Sequence, residues 1–488
     1  MRTKLDFLLW ICFFVLFVAC EDHPQEPDIV AVTSVTLNES ALSLKEGRNV
    51  TLSATITPDD ATNQNVTWKS SDPDIATVDT NGKIRALKLG TATITVITED
   101  GGKTATCTVT VEPGDPLKSS RTVLVYVAAD NTLSGFALPD FEEMKVGMAK
   151  VEDVDVNFLV YIDKGGSPQL LELKNENGTV VEKVVKTYSS RNSVGVSETQ
   201  EVFAAVFSNT QYQADSYGLV YWSHGDGWLP YPLGANTRWV GQDIGNGDKR
   251  MNISEFVEIL ETAPHFDFML FDACYMQSVE VIYQLRDRTD YFIGSPTEIP
   301  GPGASYDELV PAMFFSEDAA VDIAKAYYEP YAAKYDEGNG ILNTNWTGGA
   351  SVCALRTEPL VDLAVLTKQI LPGTVDNASL RKSVFDYDKR RGSDGYQDGH
   401  VGYYDLVGMM RMITDDNAYE AWKQIFNSAV AYWVTTPMNF SGFSQSMFSM
   451  EGTNGVSCYI PSTSNTATDK AYRSTEWYTS AGFEKLGW

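Results

Sequence analysis

Two apolar runs in this chain each lead to a reactive side chain just past their end. Residues 218–222 are followed two positions later by His224, and residues 266–271 are followed three positions later by Cys274. In an open parallel sheet, residues beyond the carboxyl ends of neighbouring strands lie side by side at the edge where ligands bind. An imidazole there can take the proton of a thiol, and the thiolate is the attacking species. The two runs therefore predict nucleophilic catalysis at the edge of a sheet.

The residues around His224 and Cys274 decide whether the two side chains are catalytic or only structural. A single His is usually a surface or satisfied core residue, and a single Cys is usually a small buried apolar residue. Gly225 and Gly227 flank the His closely, permit tight turns and let the backbone approach a substrate. We therefore interpret His224 as general base and Cys274 as nucleophile of a cysteine peptidase. The N–H groups of Gly225 and Cys274 are the predicted oxyanion hole.

An apolar pattern follows the thiol. Met276, Val279 and Tyr283 mark one face of a helix. The pattern predicts that Cys274 lies at or near a helix N-terminus, where the helix dipole favours the thiolate.

These residues resemble the clostripain family of cysteine peptidases, relatives of caspases, gingipains and legumain. The resemblance covers most of residues 121–488, and its anchors are residues 122–131, 224–228, 243, 272–276, 294–301 and 454–461. It implies an α/β, caspase-like fold, a mostly parallel sheet sandwiched by helices. It also implies a dyad of His224 and Cys274 that needs no carboxylate as third member. No cofactor is certain, and the resemblance leaves calcium open.

A carboxylate two residues before the nucleophile suggests the substrate preference. A strand alternates faces, so Asp272 and Cys274 should point the same way, towards the substrate. A carboxylate in a pocket selects a cationic side chain, and Arg is favoured where bidentate pairing forms. Glu298 is a second candidate. We expect cleavage of peptides or proteins after Arg or Lys, while the alternative that Asp272 only caps a turn stays open.

The connection between the two runs is a candidate for self-cleavage. Residues 229–251 are rich in Gly, Pro and Asn and predict a long exposed loop. Family resemblance implies a cut after a basic residue there. Arg238 is the predicted processing site because it lies midway, whereas Lys249 and Arg250 adjoin a helix that starts near Asn252. Asn252, with a Glu three positions later, is the predicted cap of that helix. The alternative is an intact loop in a constitutively active enzyme.

The sequence divides into five segments. Residues 1–19 are the predicted signal peptide, 20–29 an acidic tether, 30–112 a small all-β sandwich, 113–120 a linker and 121–488 the peptidase domain. Short segments in which apolar and polar residues alternate, separated by turn residues, predict the sandwich. This segment resembles the bacterial Ig-like domain. A stalk is its favoured role, with glycan contact as the alternative. Beyond the linker, near-continuous apolar strands separated by helices predict a mostly parallel sheet covered on both faces; they lie at 123–128, 154–161, 218–222, 266–271, 291–293 and 456–460.

The N-terminus predicts export. Arg2 and Lys4 precede the apolar residues 8–19, a run too short to span a bilayer comfortably. The run ends at Cys20, as in a bacterial lipoprotein signal whose Cys is lipidated. We expect a lipid anchor in the outer membrane and leave the cell surface open as the final location.

Charge and cysteine content narrow the partners. With 65 acidic and 37 basic residues the formal charge is −28, which repels nucleic acid and attracts basic peptides. Six cysteines without a CxxC pair suggest neither a disulfide framework nor a zinc site. Residues 243–248 partly resemble the calcium-binding loop of an EF-hand. Gly occupies the third and fifth positions, where an EF-hand has oxygen ligands, so no metal site is predicted. A surface adhesin with an inactive or merely self-processing peptidase fold is the alternative function, and the oligomeric state stays unknown.

Overall fold

Two compact units make up the chain, residues 1–116 and 117–488. The computed structural model describes residues 30–45, 49–112, 121–152, 155–228, 239–315, 318–336, 346–389, 400–462 and 466–488. The predicted signal peptide, lipidation site Cys20, tether, linker and processing site Arg238 lie outside these residues. Within them, the helices are all too short or too polar to cross a membrane.

The first unit is all-β, as predicted. Its strands are β1 (Ser34–Leu37), β2 (Ala41–Lys45), β3 (Asn49–Thr51), β4 (Ala54–Thr57), β5 (Val66–Ser70), β6 (Ala76–Val78), β7 (Lys83–Ala86), β8 (Gly90–Thr98) and β9 (Thr104–Glu112). They form sheets in the orders β2-β9-β8-β5, β3-β7-β6 and β1-β4. Alternate side chains of β8, such as Ala92 and Ile94, point into a small core, because one face of a sandwich sheet meets water.

The second unit is built on a nine-stranded sheet with the order β13-β12-β11-β10-β14-β17-β18-β19-β21. The five strands from β11 to β18 in that order run parallel, and two antiparallel strands close each edge. The strands of this unit are β10 (Arg121–Ala128), β11 (Val156–Asp163), β12 (Gln169–Glu176), β13 (Thr179–Thr187), β14 (Ser216–Trp222), β15 (Val240–Asp243), β16 (Lys249–Met251), β17 (Phe266–Asp272), β18 (Thr289–Gly294), β19 (Ser351–Arg356), β20 (Tyr404–Asp405), β21 (Val430–Thr435), β22 (Met438–Ser441), β23 (Ser446–Ser449) and β24 (Ser457–Cys458).

Helices cover both faces of this sheet and make two separate cores. They are α1 (Ser134–Ala149), α2 (Val196–Phe207), α3 (Ile253–Leu260), α4 (Val279–Leu285), α5 (Tyr306–Phe315), α6 (Ala319–Lys334), α7 (Leu360–Ile370), α8 (Asn377–Ser383), α9 (Leu406–Ile413), α10 (Asp416–Ala429), α11 (Ala467–Tyr472) and α12 (Glu476–Ser480). Tyr126 of β10 packs with Phe256 of α3 in one core, and Val125 packs with Met144 of α1 in the other. The predicted fold class is confirmed: a central sheet lies between helical layers.

One predicted strand has a different place. The run 456–460 is reduced to β24, which pairs with β20 and not with the nine-stranded sheet. The polar hydrogen bonds of this segment explain the difference, because Ser457 N–H donates to the Gln277 carbonyl just outside the sheet at 3.0 Å. The predicted capped helix after Asn252 is confirmed, since Asn252 and Glu255 form a capping box at the start of α3.

Candidate active site

The ends of two neighbouring strands bring the predicted pair to one edge of the sheet. β14 and β17 are parallel neighbours in which Trp222 lies opposite Asp272, and His224 and Cys274 each follow two residues later. The two loops touch: a Cβ on Gly225 would lie 2.8 Å from the Cys274 carbonyl oxygen and 2.8 Å from the Ala273 Cβ. A larger residue than glycine at 225 would therefore push the loops apart.

His224 is held by groups from two other segments, the turn at Thr132 and the chain around β15. Its Nε2 lies 2.7 Å from the Thr132 hydroxyl, in the turn between β10 and α1. Its carbonyl accepts the Gly241 N–H at 2.9 Å, and the edge of its ring meets Trp239 at 6.3 Å between ring centres. Burial, together with the positive charge of Arg250, lowers the pKa of His224 to about 4. The imidazole is therefore neutral at physiological pH and can accept a proton.

Cys274 is partly exposed, in a loop rather than at a helix end. Helix α4 begins at Val279 with Ser278 as its N-cap, and Tyr275 takes a left-handed conformation with φ of 61°. The expectation that the thiol lies at or near a helix N-terminus is wrong, because four residues, among them the left-handed Tyr275, separate Cys274 from Val279. Burial and the nearby charge of Glu298 raise the pKa of the Cys274 thiol to about 12. The resting pair is thus a neutral thiol and a neutral imidazole.

Backbone N–H groups stand ready on both loops. Gly225 pairs with Val240 through an isolated antiparallel bridge whose hydrogen bonds are made by the residues on either side of Gly225. Within the described part of the chain, the N–H groups of Gly225 and Cys274 therefore donate to no other group. The Ile299 N–H lies 3.4 Å from the Cys274 Sγ. Free donors beside a nucleophile suit the stabilisation of an oxyanion.

Asp272 is only 2% exposed. Its Oδ2 accepts from the Ala304 N–H and the Tyr306 hydroxyl, both at 3.0 Å, and its Oδ1 accepts from the Tyr327 hydroxyl at 2.9 Å. Burial raises its pKa. Since β17 ends at Asp272, the alternation of a strand does not extend to Cys274, and that reason for placing both side chains together does not hold. The part that Asp272 takes in substrate binding stays a prediction.

Glu298 is half-buried and lies close enough to the thiol to affect its pKa. Its Oε2 accepts the Gly442 N–H at 2.8 Å, and its Oε1 accepts from the hydroxyls of Ser441 at 2.5 Å and Tyr275 at 3.3 Å. Among the charges that raise the pKa of Cys274, that of Glu298 has the largest effect. Glu298 thus has a stronger electrostatic influence on the thiol than Asp272 has, although the sequence analysis made it only the second candidate.

The loop that resembles an EF-hand does not fit calcium. Asp243 is fully buried, and its oxygens accept the N–H groups of Ser193 at 2.8 Å and Asn246 at 2.9 Å. Gly245 and Gly247 stand at the third and fifth positions and offer no side-chain oxygen. In the part of the chain that the structure describes, no cluster of three or more His, Cys, Asp or Glu is arranged to hold a metal. No catalytic step below depends on a metal ion.

Three residues that contact the site were not predicted from the sequence. Thr132, Trp239 and Ile299 touch His224 or Cys274 but come from other segments of the chain. Thr132 and Ile299 left a signal: Thr132 directly follows residues 122–131, and Ile299 lies within residues 294–301, both anchors of the family resemblance.

Comparison with known proteins divides the chain in the same way. The sequence model of the clostripain family matches residues 125–486. The model of the bacterial Ig-like domain, group 2, matches residues 31–109. Both predicted resemblances are confirmed, and the first covers well over half of the chain.

Two solved structures and one curated protein are similar to this chain. A secreted C11 cysteine protease from Bacteroides thetaiotaomicron, in complex with an irreversible peptide inhibitor, is 47% identical, with a TM-score of 0.69 over 75% of this chain and 100% of that one. An inactive zymogen C11 protease from Parabacteroides distasonis is 30% identical, with a TM-score of 0.62 over 75% of this chain and 99% of that one. Clostripain of Hathewaya histolytica is 25% identical over 218 residues, 38% of this chain and 41% of that protein. The chain spans only 8% to 41% of clostripain and the other curated relatives compared.

Proposed function

Because this chain belongs to the clostripain family of cysteine peptidases, we propose that it is an endopeptidase with Cys274 as nucleophile and His224 as general base. The observation that carries the proposal is the parallel pairing of β14 and β17, which sets both side chains at one edge of the sheet. The contact between Gly225 and the Cys274 carbonyl supports it, since the two loops lie against each other.

Proton transfer starts from the neutral pair. When the Nε2–H of His224 donates to Thr132, the lone pair of the ring is on Nδ1, which can accept the thiol proton. The sulfur then attacks the scissile carbonyl, and the N–H groups of Gly225 and Cys274 stabilise the oxyanion. The imidazolium returns its proton to the leaving amine, and a thioester remains on Cys274. Water, losing a proton to His224, attacks the thioester and releases the acid and the thiol.

We further propose that the enzyme cleaves after Arg or Lys. Asp272 ends the strand that precedes the proposed nucleophile, and Gly303 lies directly beside it, since a Cβ on Gly303 would lie 2.8 Å from the Asp272 Oδ2. Glu298 adds a second carboxylate close to the thiol. A cationic side chain near these groups would gain charge-assisted hydrogen bonds that an apolar side chain cannot make.

The function is tested with purified protein and fluorogenic peptides that differ only in the residue before the scissile bond. We expect release of the fluorophore after Arg and Lys, and at least tenfold slower release after Leu or Ala. Hydrolysis of none of them would favour the alternative, a surface adhesin whose peptidase fold is inactive or acts only on itself. Equal hydrolysis of all would refute the basic preference and leave the peptidase in place.

Self-activation by a cut after Arg238 is part of the proposal. The cut would leave Trp239 as a new N-terminus, next to the His224 ring that it contacts. Wild-type protein should separate into two fragments on a denaturing gel, and Cys274→Ala should stay whole. An intact wild-type chain with full activity would contradict this idea.

We propose export and a lipid anchor at Cys20, on the basis of residues 1–22. Cys20→Ser should move the protein from the membrane fraction into the soluble fraction or block its processing. An unchanged membrane fraction would exclude the anchor.

A further inference from the structure

We propose that Tyr403 is a positioning residue that holds the His224 loop and the Cys274 loop in one arrangement. The inference rests on the proposed dyad and adds a residue from a distant part of the chain. Tyr403 directly precedes β20 and is fully buried. It contacts both loops at once, through its hydroxyl on one side and its ring face on the other.

The hydroxyl of Tyr403 holds the His224 loop. It donates to the carbonyl oxygen of Asp226 at 2.5 Å, two residues after the His. Gly227 follows with φ of 79°, and a Cβ there would lie 2.1 Å from the Tyr403 hydroxyl oxygen. Glycine at 227 is therefore required twice, for its left-handed backbone and for the close approach of the tyrosine.

The ring of Tyr403 holds the Cys274 loop. It stacks on the ring of Tyr275 with 4.9 Å between ring centres and 17° between planes. Tyr275 is the residue after the nucleophile and the one whose φ is 61°. Because a non-glycine residue pays an energetic penalty in this conformation, a tertiary contact must hold it there, and the stacked ring is such a contact.

Tyr403 is itself fixed from outside both loops. Its N–H donates to the Asp386 Oδ1 at 3.0 Å, and its carbonyl accepts the Tyr387 N–H at 2.7 Å. The following strand β20 pairs with β24. Because these contacts lie outside both loops, Tyr403 keeps its position when either loop moves. It can therefore hold the His224 loop and the Cys274 loop in a fixed arrangement.

The role follows from what each atom does. Removing the hydroxyl takes away one hydrogen bond to the Asp226 carbonyl and loosens the His224 loop, while the stack on Tyr275 stays. Removing the ring frees both loops. The neutral dyad needs its proton transfer geometry held by the protein, because no charge attraction between the two groups holds it in the resting state.

The test compares Tyr403→Phe and Tyr403→Leu with wild type, using a fluorogenic peptide with Arg before the scissile bond. We expect kcat to fall about tenfold in the Phe variant, from loss of one hydrogen bond, and about a hundredfold in the Leu variant, with KM within about twofold. The acid limb of kcat/KM should move up from about pH 4 in Tyr403→Leu, since more water reaches the His224 ring. Tyr212→Phe is a matched control. The buried hydroxyl of Tyr212 donates to the Glu172 Oε2 at 3.1 Å, away from both loops.

A second readout does not depend on peptide hydrolysis. Alkylation of Cys274 by iodoacetamide, followed by mass spectrometry, should slow about tenfold in Tyr403→Phe and stay unchanged in Tyr212→Phe. If wild type hydrolyses nothing, the proposed function fails while alkylation still decides the role of Tyr403. Unchanged kcat, acid limb and alkylation in both Tyr403 variants would overturn the inference. So would a rise of KM alone, since that would place Tyr403 against the substrate.

Discussion

Two thiols in two units of this chain show what makes a cysteine a candidate nucleophile. Cys107 lies in β9 of the first unit and Cys274 follows β17 of the second. Burial raises the pKa of both thiols. They differ in position: Cys107 is fully buried in a sandwich core, whereas Cys274 is partly exposed at a strand end, beside the loop that carries His224. Placement at the edge of the sheet, rather than acidity, separates the two.

The strands around the thiols differ for the same reason. β8 of the first unit buries alternate residues, while β10 of the second buries all eight. A strand with a helical layer on each face opens only at its end, so a side chain there emerges into a partly dry crevice. Low water content strengthens electrostatic interactions in such a crevice. We therefore expect the chemistry to belong to the second unit alone.

Removing each thiol in turn gives the largest expected effect. Cys274→Ala should lower kcat/KM for a basic peptide at least about a thousandfold, because the nucleophile is lost. Cys107→Ala should leave kcat/KM within about twofold. His224→Ala should match Cys274→Ala, with His265→Ala as its control, since His265 binds Asp290 at 2.8 Å on the surface. More than a few per cent residual turnover in Cys274→Ala or His224→Ala would contradict the dyad.

The next effect concerns the two carboxylates of the second unit. Asp272→Asn should lower the preference for Arg over Leu before the scissile bond about a hundredfold, the loss expected for a buried charge-assisted hydrogen bond. Glu298→Gln should lower it tenfold or less, because Glu298 is half-buried and already binds Ser441 and Gly442. The measurement is kcat/KM for two peptides, with melting temperature as the control for folding. A preserved preference in Asp272→Asn would mean that the carboxylate serves only the fold, through Ala304, Tyr306 and Tyr327.

The smallest effect is a difference in acid stability between the units. His224 has a pKa of about 4 when folded and an ordinary value near 6.5 when unfolded. Between these values the unfolded chain binds more protons, so stability is full above pH 6.5 and is lost as the pH falls through 4. At pH 5 the loss is about 2 kcal/mol relative to pH 8.

Urea unfolding of the second unit at pH 8 and pH 5 measures this loss. Wild type should lose about 2 kcal/mol more than His224→Ala over that interval. The first unit serves as internal control, since residues 30–112 contain no His. Equal losses in wild type and variant would show that the ring is not desolvated in solution.

The sequence predicted the parts of the fold that are written in continuous apolar runs. β10, β14 and β17 were found because both of their faces are covered, and the capping box at Asn252 located α3. Of the antiparallel strands at the edges, β12, β13 and β21 were missed. β13, for example, carries exposed charged residues as an edge strand does, and so lacks an apolar signal.

The site divides in the same way. The placement of His224 and Cys274 at one edge of the sheet follows from strand ends, which local sequence marks. The left-handed Tyr275 contacts Tyr403 and Glu298, which lie 128 and 23 positions further along the chain. Such contacts leave no periodic pattern near the thiol, so the orientation of the loop could not be predicted.

The hydrogen bond between Tyr403 and Asp226 has a consequence for biosynthesis. It joins residues 177 positions apart, and the stack on Tyr275 in the Cys274 loop is made by the same late residue. At about 5 to 20 residues per second, a ribosome needs about 6 to 26 s to add the 129 residues from Cys274 to Tyr403. During that interval the growing chain carries both reactive side chains without the tyrosine that fixes them. We therefore expect the site to form only after most of the chain has been made, which would keep the peptidase from attacking its own unfinished chain or its neighbours.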